Sequence, residues 1–385
     1  MIKKFINEKT IKRRSFLKLA GLSSVGLSLG FPLTTLWGKT IDSENREIKS
    51  ESFFKKIWHR NKEDKRYFIT PNLKTNWIDK NIILAKVDGW WRAYSLREFD
   101  NEFHEWWIAE KLWYYDQLIA FFEGETDELN IPNGGHHHPM LSTYGNKKGR
   151  GDSDFHLNTT PKGFSLLPKP DKIDYVTQQI EAVYNDPDAK IPVDIFKKRK
   201  ELYQQKDLWD KTRFVTLELY SGRPIDEDDK INGELINFGF LETHTFQNLI
   251  KNPMATLTYM SLFNTDGSQS YFEGREGLTP TFEFRGFCWL ISYHNPNLTE
   301  YEKAIADYVN QAHCRYHGGR CDLAANIFLI VEQFNNTPGY DPYGRGRRSV
   351  PPYDYGVSSA ITIKPKKKLT LDEKINLIKM LRIPV

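Results

Sequence analysis

Two groups of histidine and cysteine stand out for what they could ligate. His136-His137-His138 sits in a stretch rich in Gly, Pro and Asn, with His156 about twenty positions on. Consecutive histidines cannot all face one ion, but two can, and His156 would make a third ligand for zinc or copper. The plainer reading, adopted here, is a solvated or hydrogen-bonded cluster with no metal. His136, His138 and His156 are the residues that would ligate if one were bound. His313-Cys314-x-x-His317-x-x-x-Cys321 also has ligand-like spacing. His313 and His317 are four apart, on one face of a continuing helix, and Gly318-Gly319 lets Cys321 turn back. Zinc or haem ligation suits these residue types. In an oxidising compartment Cys314 and Cys321 would instead form a disulfide closing a short loop, which is the simpler reading. The order is not Cys-x-x-Cys-His, so covalent haem attachment is excluded as a reading. Cys288, inside a β-rich run, reads as core.

The elements that must position these residues fall into four zones: 1–38, 39–205, 206–340 and 341–385. Zone 39–205 predicts one long helix. Ser95-x-x-Glu98 has the form of a capping box, and apolar residues follow at Phe99, Phe103, Trp106, Trp107, Tyr114, Leu118, Phe121 and Phe122, up to Gly124. Its aromatic stripe could line a cofactor or partner pocket; core packing is the plainer account. Gly134 to Pro168 reads as a long loop, and Asp194 to Trp209 as a charged helical stretch. Zone 206–340 reads as strands at Arg213–Tyr220, Asn237–Leu241, Ala255–Met260, Thr281–Tyr293 and Ala325–Phe334. One helix among them is opened by Thr299-x-x-Glu302, with Tyr301, Ile305, Tyr308 and Ala312 on its apolar face. The last zone holds an irregular basic-aromatic segment, a strand at Ala360–Ile363 and a helix capped by Thr370-x-x-Glu373. The expected class is α+β: a mostly antiparallel barrel with flanking helices and an additional helical or irregular N-terminal region.

The 385 residues are 39% hydrophobic, 27% charged and 14% aromatic, which excludes a disordered, collagenous or polytopic membrane chain. The formal charge of +4 is misleading. Residues 1–38 carry seven Lys or Arg against Glu8 alone, so the rest of the chain is slightly acidic and no basic excess points to nucleic acid. Lys12-Arg13-Arg14-Ser15-Phe16-Leu17-Lys18, followed by an apolar Gly/Ser-rich run to Leu36, resembles a twin-arginine export signal. Gly21, Gly26, Gly30 and Pro32 interrupt that run and argue against a stable spanning helix. The resemblance implies a partner, the twin-arginine translocase, and a periplasmic destination reached in the folded state, often with a cofactor already inserted.

Phe240 to Met260 carries a second resemblance. It reads Phe240-Leu-Glu-Thr-His-Thr-Phe-Gln-Asn-Leu-Ile-Lys-Asn-Pro-Met-Ala-Thr-Leu-Thr-Tyr-Met260. This resembles the centre of the FMN-binding split-barrel, pyridoxamine-phosphate-oxidase-like family: a strand, a polar turn, a helix with Asn-Leu, then Asn-Pro and another strand. Arg213-Phe-Val-Thr-Leu resembles that family's Arg-x-Val-x-Leu strand, Ser221-Gly-Arg-Pro224 its hairpin turn, and Phe282-Glu-Phe-Arg-Gly-Phe287 the strand closing its site. The match covers about a third of the chain. It implies a homodimeric FMN-dependent oxidoreductase acting on a small molecule. The phosphate would lie at the helix N-terminus by Thr243, His244 and Thr245, where free N–H groups favour an anion. Arg213 would supply the paired charge, and Gln247 and Thr281 would reach the phosphate or the ring edge. Two family cations are missing, since Thr245 and Glu218 stand where lysines are common, which puts pyridoxamine phosphate oxidation itself in doubt. A haem-handling barrel using His294, His313 or His317, and a non-catalytic cofactor- or metal-binding protein, are the alternatives.

Overall fold

The computed structural model describes residues 58–63, 66–87, 89–126, 136, 138–145, 157–216, 230–231, 234–235, 244–260, 280–314, 324–337, 347–350 and 361–363. The export segment, Thr243, His137, His156, His317, Cys321, the strand expected at 237–241 and the helix expected after Thr370 lie outside the described residues, and of the side chains of His313 and Cys314 nothing is said. No described helix is long and apolar enough to cross a membrane.

The fold is α+β with antiparallel sheets. The main sheet takes strands β6 (Met140–Tyr144), β7 (Leu157–Pro161), β8 (Phe164–Pro168), β9 (Trp209–Thr216), β12 (Met254–Met260), β13 (Thr281–Ser292) and β14 (Ala324–Asn335). Their order is β7-β6-β12-β13-β14-β9-β8, and β15 (Arg347–Val350) also pairs with β14. A second sheet has the order β16-β5-β4-β3, from β3 (Leu73–Trp77), β4 (Ile82–Val87), β5 (Trp90–Ser95) and β16 (Ile361–Ile363). Two short hairpins, β1 (Trp58–Arg60) with β2 (Arg66–Phe68) and β10 (Lys230–Ile231) with β11 (Glu234–Leu235), complete the strands.

The edge strands β7 and β8 are joined by Lys162 and Gly163 alone. Two linking residues span at most about 11 Å. A flat sheet of seven strands would put its edges about 29 Å apart. The sheet must therefore roll until its edges approach at that corner. Its inner side chains converge accordingly: the rings of Phe214 on β9 and Tyr259 on β12 are 5.5 Å apart although β13 and β14 lie between those strands. Among the described residues β7 and β8 do not pair, so the roll is not closed by hydrogen bonds.

Helix α1 (Asn101–Glu123) packs into the concave side. Phe103 is fully buried, with Phe214, Tyr259, Phe282 and Phe284 all within 5.6 Å of it between ring centroids. The helix begins later than Ser95-x-x-Glu98 suggested. Ser95 ends β5, and Asp100 is the cap, its Oδ1 accepting from the Phe103 N–H at 2.9 Å. Gly124 ends the helix at φ 82°, a left-handed position that glycine takes without strain. On the opposite face Tyr94 of β5 lies 4.4 Å from Phe287, so the second sheet covers the outside of β13. This explains why Gly286 to Ser292 is buried on both faces, apart from the ordinary alternation before it. Helices α2 (Ile173–Asn185), α3 (Val193–Gln204) and α5 (Glu300–Val309) form a layer beside α1: α1 packs on α3, α3 on α2, and α2 on α5. The α5 start carries both halves of its expected capping box.

Two expectations need correction. Gly134–Pro168 is not a long loop, since it contains β6, β7 and β8. These strands are short and rich in Ser, Thr and Pro, and their flanking Gly, His and Asn masked a weak alternation. Nor is zone 39–205 helical or irregular alone. It supplies three strands to the main sheet and three to the second, so the main sheet runs continuously across residues 205–206.

One glycine tests the roll. A β-bulge falls between Arg285 and Gly286, where β13 passes so close to β14 that a Cβ on Gly286 would lie 1.9 Å from the Leu329 carbonyl oxygen. Gly286→Ala should therefore lower stability by about 3 kcal/mol, read as a lower urea midpoint. An unchanged midpoint would show that the two strands are not held at this separation.

Candidate functional site

The residues expected to hold an anion are not brought together as the resemblance implied. Arg213 on β9 is 3% exposed, and its guanidinium is spent within the fold. Nη1 donates to Asp210 Oδ2 at 2.6 Å and to the Tyr301 hydroxyl at 3.3 Å, and Nη2 to the Ile78 carbonyl at 3.0 Å. The other Asp210 oxygen accepts from the Thr212 N–H and hydroxyl. Arg213 is thus a buried structural ion pair tying β9 to the turn before β4 and to α5, and not a free phosphate anchor. Withdrawing it would strand a buried carboxylate.

Helix α4 (His244–Lys251) lies elsewhere, against β6 and β7. His244 is exposed at its N-terminus, Gln247 is half-buried, and Thr245 is buried with its hydroxyl accepting from Asn158 Nδ2 at 2.9 Å. Asn248 Nδ2 reaches the Thr143 hydroxyl at 3.1 Å. The helix therefore docks on the sheet through Thr245 and Asn248, and its first turn carries His244 and Gln247. Thr281 opens β13 half-buried, its N–H donating to the Thr337 hydroxyl at 3.1 Å. His138 and His294 are half-buried, and His294 accepts from Asn61 through its carbonyl. Among the described residues no three His, Cys, Asp or Glu side chains group as a metal site. Cys288 is buried and free, as expected of a core thiol, and burial raises its pKa to about 12.

A denser constellation lies where α1 meets the helical layer. Helix periodicity puts Trp107, Glu110, Lys111, Tyr114 and Tyr115 along one side of α1. Lys111 is 4% exposed, and its Nζ lies 5.1 to 5.8 Å from the ring centres of Tyr115, Trp107, Tyr114 and Tyr203. It makes no hydrogen bond or ion pair with any described residue. Burial, with the neighbouring Arg199 charge, lowers its pKa from the ordinary 10.5 to about 7. Arg199 of α3 is half-buried as a residue, but its Nε and Nη2 are shut off from solvent. Tyr115 lies beside Arg199 and Tyr203 beside Tyr308, and the Ser165 and Tyr203 hydroxyls are 2.6 Å apart. Next along α1, burial raises Glu110 to about 7. Its Oε2 is 3.8 Å from Nδ1 of His136, whose pKa falls well below the ordinary value, first through burial and then through Lys111. With that imidazole neutral, the contact is not an ion pair. His136 is boxed in by Trp107, which donates from Nε1 to the His136 carbonyl at 2.9 Å, and by Tyr114.

The sequence supplied the aromatic stripe of α1 but not this cluster. A lysine beside an apolar face ordinarily snorkels to solvent. What traps Lys111 is the packing of α3 and α5, which no local pattern encodes. The chain matches no protein-family model, no curated protein and no solved structure.

Two measurements check these assignments. Arg213→Met should destabilise the ligand-free protein by roughly 3–5 kcal/mol, the cost of an uncompensated buried charge, and adding Asp210→Asn should relieve part of the loss. Equal stability of wild type and Arg213→Met would return Arg213 to the pool of ligand anchors. For Lys111 the sign is fixed by its lowered pKa. Between about pH 7 and 10.5 the unfolded chain binds the proton and the folded chain does not, so stability rises with pH through that window. Cys288 opposes this above its ordinary 9.0. Chemical denaturation from pH 7 to 9 should show a rise that Lys111→Met flattens; an identical profile in the variant refutes the shift.

Proposed function

We propose that this chain is an exported split-barrel flavoprotein: a homodimeric FMN-dependent oxidoreductase of the periplasm acting on a small molecule. The rolled antiparallel sheet carries the reading. Its two edges converge at a two-residue corner, and the Asn-Leu helix α4 leads through Asn252-Pro253 into β12, beside β13, in the order the sequence resemblance requires. A split barrel is such a sheet, rolled but parted along one seam.

The described residues fit FMN in part. The α4 N-terminus offers backbone N–H groups and the positive end of the helix dipole to a phosphate, with His244 and Gln247 within that first turn. Arg213 and the Thr245 hydroxyl do not contribute, being committed to Asp210 and Asn158. Bound flavin would supply the electron-transfer chemistry, and the chain its anchoring and water exclusion. The twin-arginine resemblance supports export after folding, with the cofactor loaded beforehand.

Fractionating cells that express the wild type or Arg13→Lys/Arg14→Lys, and recording the visible spectrum of each purified product, tests both halves. Wild-type protein should be periplasmic and show the two flavin bands, and the double variant should stay in the cytoplasm with the same bands. A Soret band would replace FMN by haem, and a colourless product would leave a non-catalytic binding protein. Unchanged periplasmic yield from the double variant would refute twin-arginine export.

A further inference from the structure

Lys111 is a buried nucleophile that neither the packing of the fold nor flavin chemistry employs. Its side chain borders a cavity of about 40 Å³, lined also by Tyr115 of α1, Ser165 of β8, Arg199 and Tyr203 of α3 and Tyr308 of α5. At roughly 10–15 Å³ for each water-sized group, this is room for about three such groups. Lys111 Nζ is surrounded by ring faces, those of Tyr115, Trp107, Tyr114 and Tyr203, and makes no hydrogen bond or ion pair with a described residue. A lysine buried in this way costs stability that a methionine of similar length would not. It also has its lone pair available near neutral pH. Burial is the larger cause of its lowered pKa of about 7 and the Arg199 charge the smaller, so the effect does not depend on what else Arg199 pairs with. Desolvation of this kind activates a lysine amine as a nucleophile. Hydroxyls stand beside it: those of Ser165 and Tyr203 are 2.6 Å apart, and Tyr308 lies next to Tyr203. Burial raises the pKa of both tyrosines, so they keep their protons.

We propose that Lys111 Nζ is the attachment point for a short aldehyde, held in this cavity as a Schiff base. The nitrogen lone pair attacks the carbonyl carbon, and the π pair of the C=O bond goes to oxygen. One amine proton passes to that oxygen and gives a carbinolamine. The C–O bond then breaks as the nitrogen lone pair forms C=N, and the oxygen leaves as water with the second amine proton. The hydroxyls of Ser165, Tyr203 and Tyr308 are placed to relay these protons. Amine and aldehyde become imine and water, with no oxidant or reductant. A proton taken from solvent converts the imine to an iminium, and four aromatic faces suit that cation, which donates a single hydrogen bond. Room for about three water-sized groups admits acetaldehyde and excludes an aromatic aldehyde. The site is independent of whether the chain holds FMN, since α4 rests on β6 and β7, which do not line this cavity.

The test needs no variant. The full chain as purified is treated with acetaldehyde and cyanoborohydride, which reduces an iminium to a stable N-ethyl group, and its peptides are read by mass spectrometry. At pH 7 Lys111 should acquire the mark about tenfold or more faster than the exposed Lys80 and Lys206, and its rate should level off as acetaldehyde is raised. The lead should shrink toward pH 10, where an ordinary lysine amine is freed as well. Of the groups around Lys111, Arg199 stays charged, His136 stays neutral, and Tyr115, Tyr203 and Tyr308 keep their protons over that range. Tyr114 completes the set, and the adjacent Glu110 turns to His136 instead. Benzaldehyde under the same conditions should mark Lys80 and Lys206 and spare Lys111. A mark on Lys111 no faster than on the exposed lysines, a rate linear in acetaldehyde throughout, or equal marking by benzaldehyde would each overturn the assignment.

Discussion

The burial of α1 inside the rolled sheet is the constraint on which the rest of the structure depends. A 23-residue helix with its aromatic residues on most sides cannot rest on a surface, because no single face would hide Phe103, Trp106, Trp107, Tyr115 and Phe121 together. The sheet curls around one side of it and α3 with its neighbours covers the other. Phe103 marks the centre, touching residues of β9, β12 and β13. Ring contacts of this kind contribute beyond their buried area, about 0.5–1.5 kcal/mol each, and they fix where the concave sides of distant strands must lie.

The same burial creates the polar problem of the interior. A helix buried on most of its sides encloses some polar residues as well: α1 keeps Glu105 and Asp116 exposed but buries Glu110 and Lys111 in succession. The two are treated differently. Glu110 faces a neutral imidazole and shifts toward its protonated form, while Lys111 faces ring electrons and a second cation. Asp210 and Arg213 show the ordinary solution nearby, a close pair with its remaining hydrogen bonds largely supplied by Thr212, Tyr301 and Ile78. The contrast between a paired charge and an unpaired one, in the same core, makes Lys111 informative.

Much of the fold was legible in the sequence where the pattern was local. The α5 capping box, the apolar face at Ile305, Tyr308 and Ala312, and the strands β9, β12, β13 and β14 follow from short-range spacing and β-branched or aromatic runs. The α1 span was legible as well, but its start was not, because Ser95-x-x-Glu98 and Asp100 compete for the same role and only tertiary placement of β5 decides. β6 and β7 were hidden because short strands carrying Ser and Thr, flanked by Gly, His and Asn, resemble loops. Arg213 was misjudged for a different reason. A strand arginine carries no sign of its partner, and Asp210, three positions earlier, becomes that partner only through the local bend of β9. The Lys111 cluster needed four separate elements to be seen at once.

The pairing of the main sheet sets the order in which it can form. Thr143 of β6 pairs with Ala255, and Thr216 of β9 pairs with Asn326, so neither early strand has its second neighbour until long stretches of chain have followed. During synthesis the main-sheet strands β6, β7, β8 and β9 emerge first as two separate antiparallel pairs, β6 with β7 and β8 with β9 across α2 and α3, each with an open edge. The three strands that join them, β12, β13 and β14, come last. Until then α1 has only half a wall to shelter against, and its tryptophans are exposed beside unpaired backbone, the combination that invites wrong partners. Contacts this distant in sequence also make for slow folding. The nascent chain therefore carries open strand edges and uncovered aromatic surface through most of its translation, and becomes self-protecting only when β14 slots between β13 and β9.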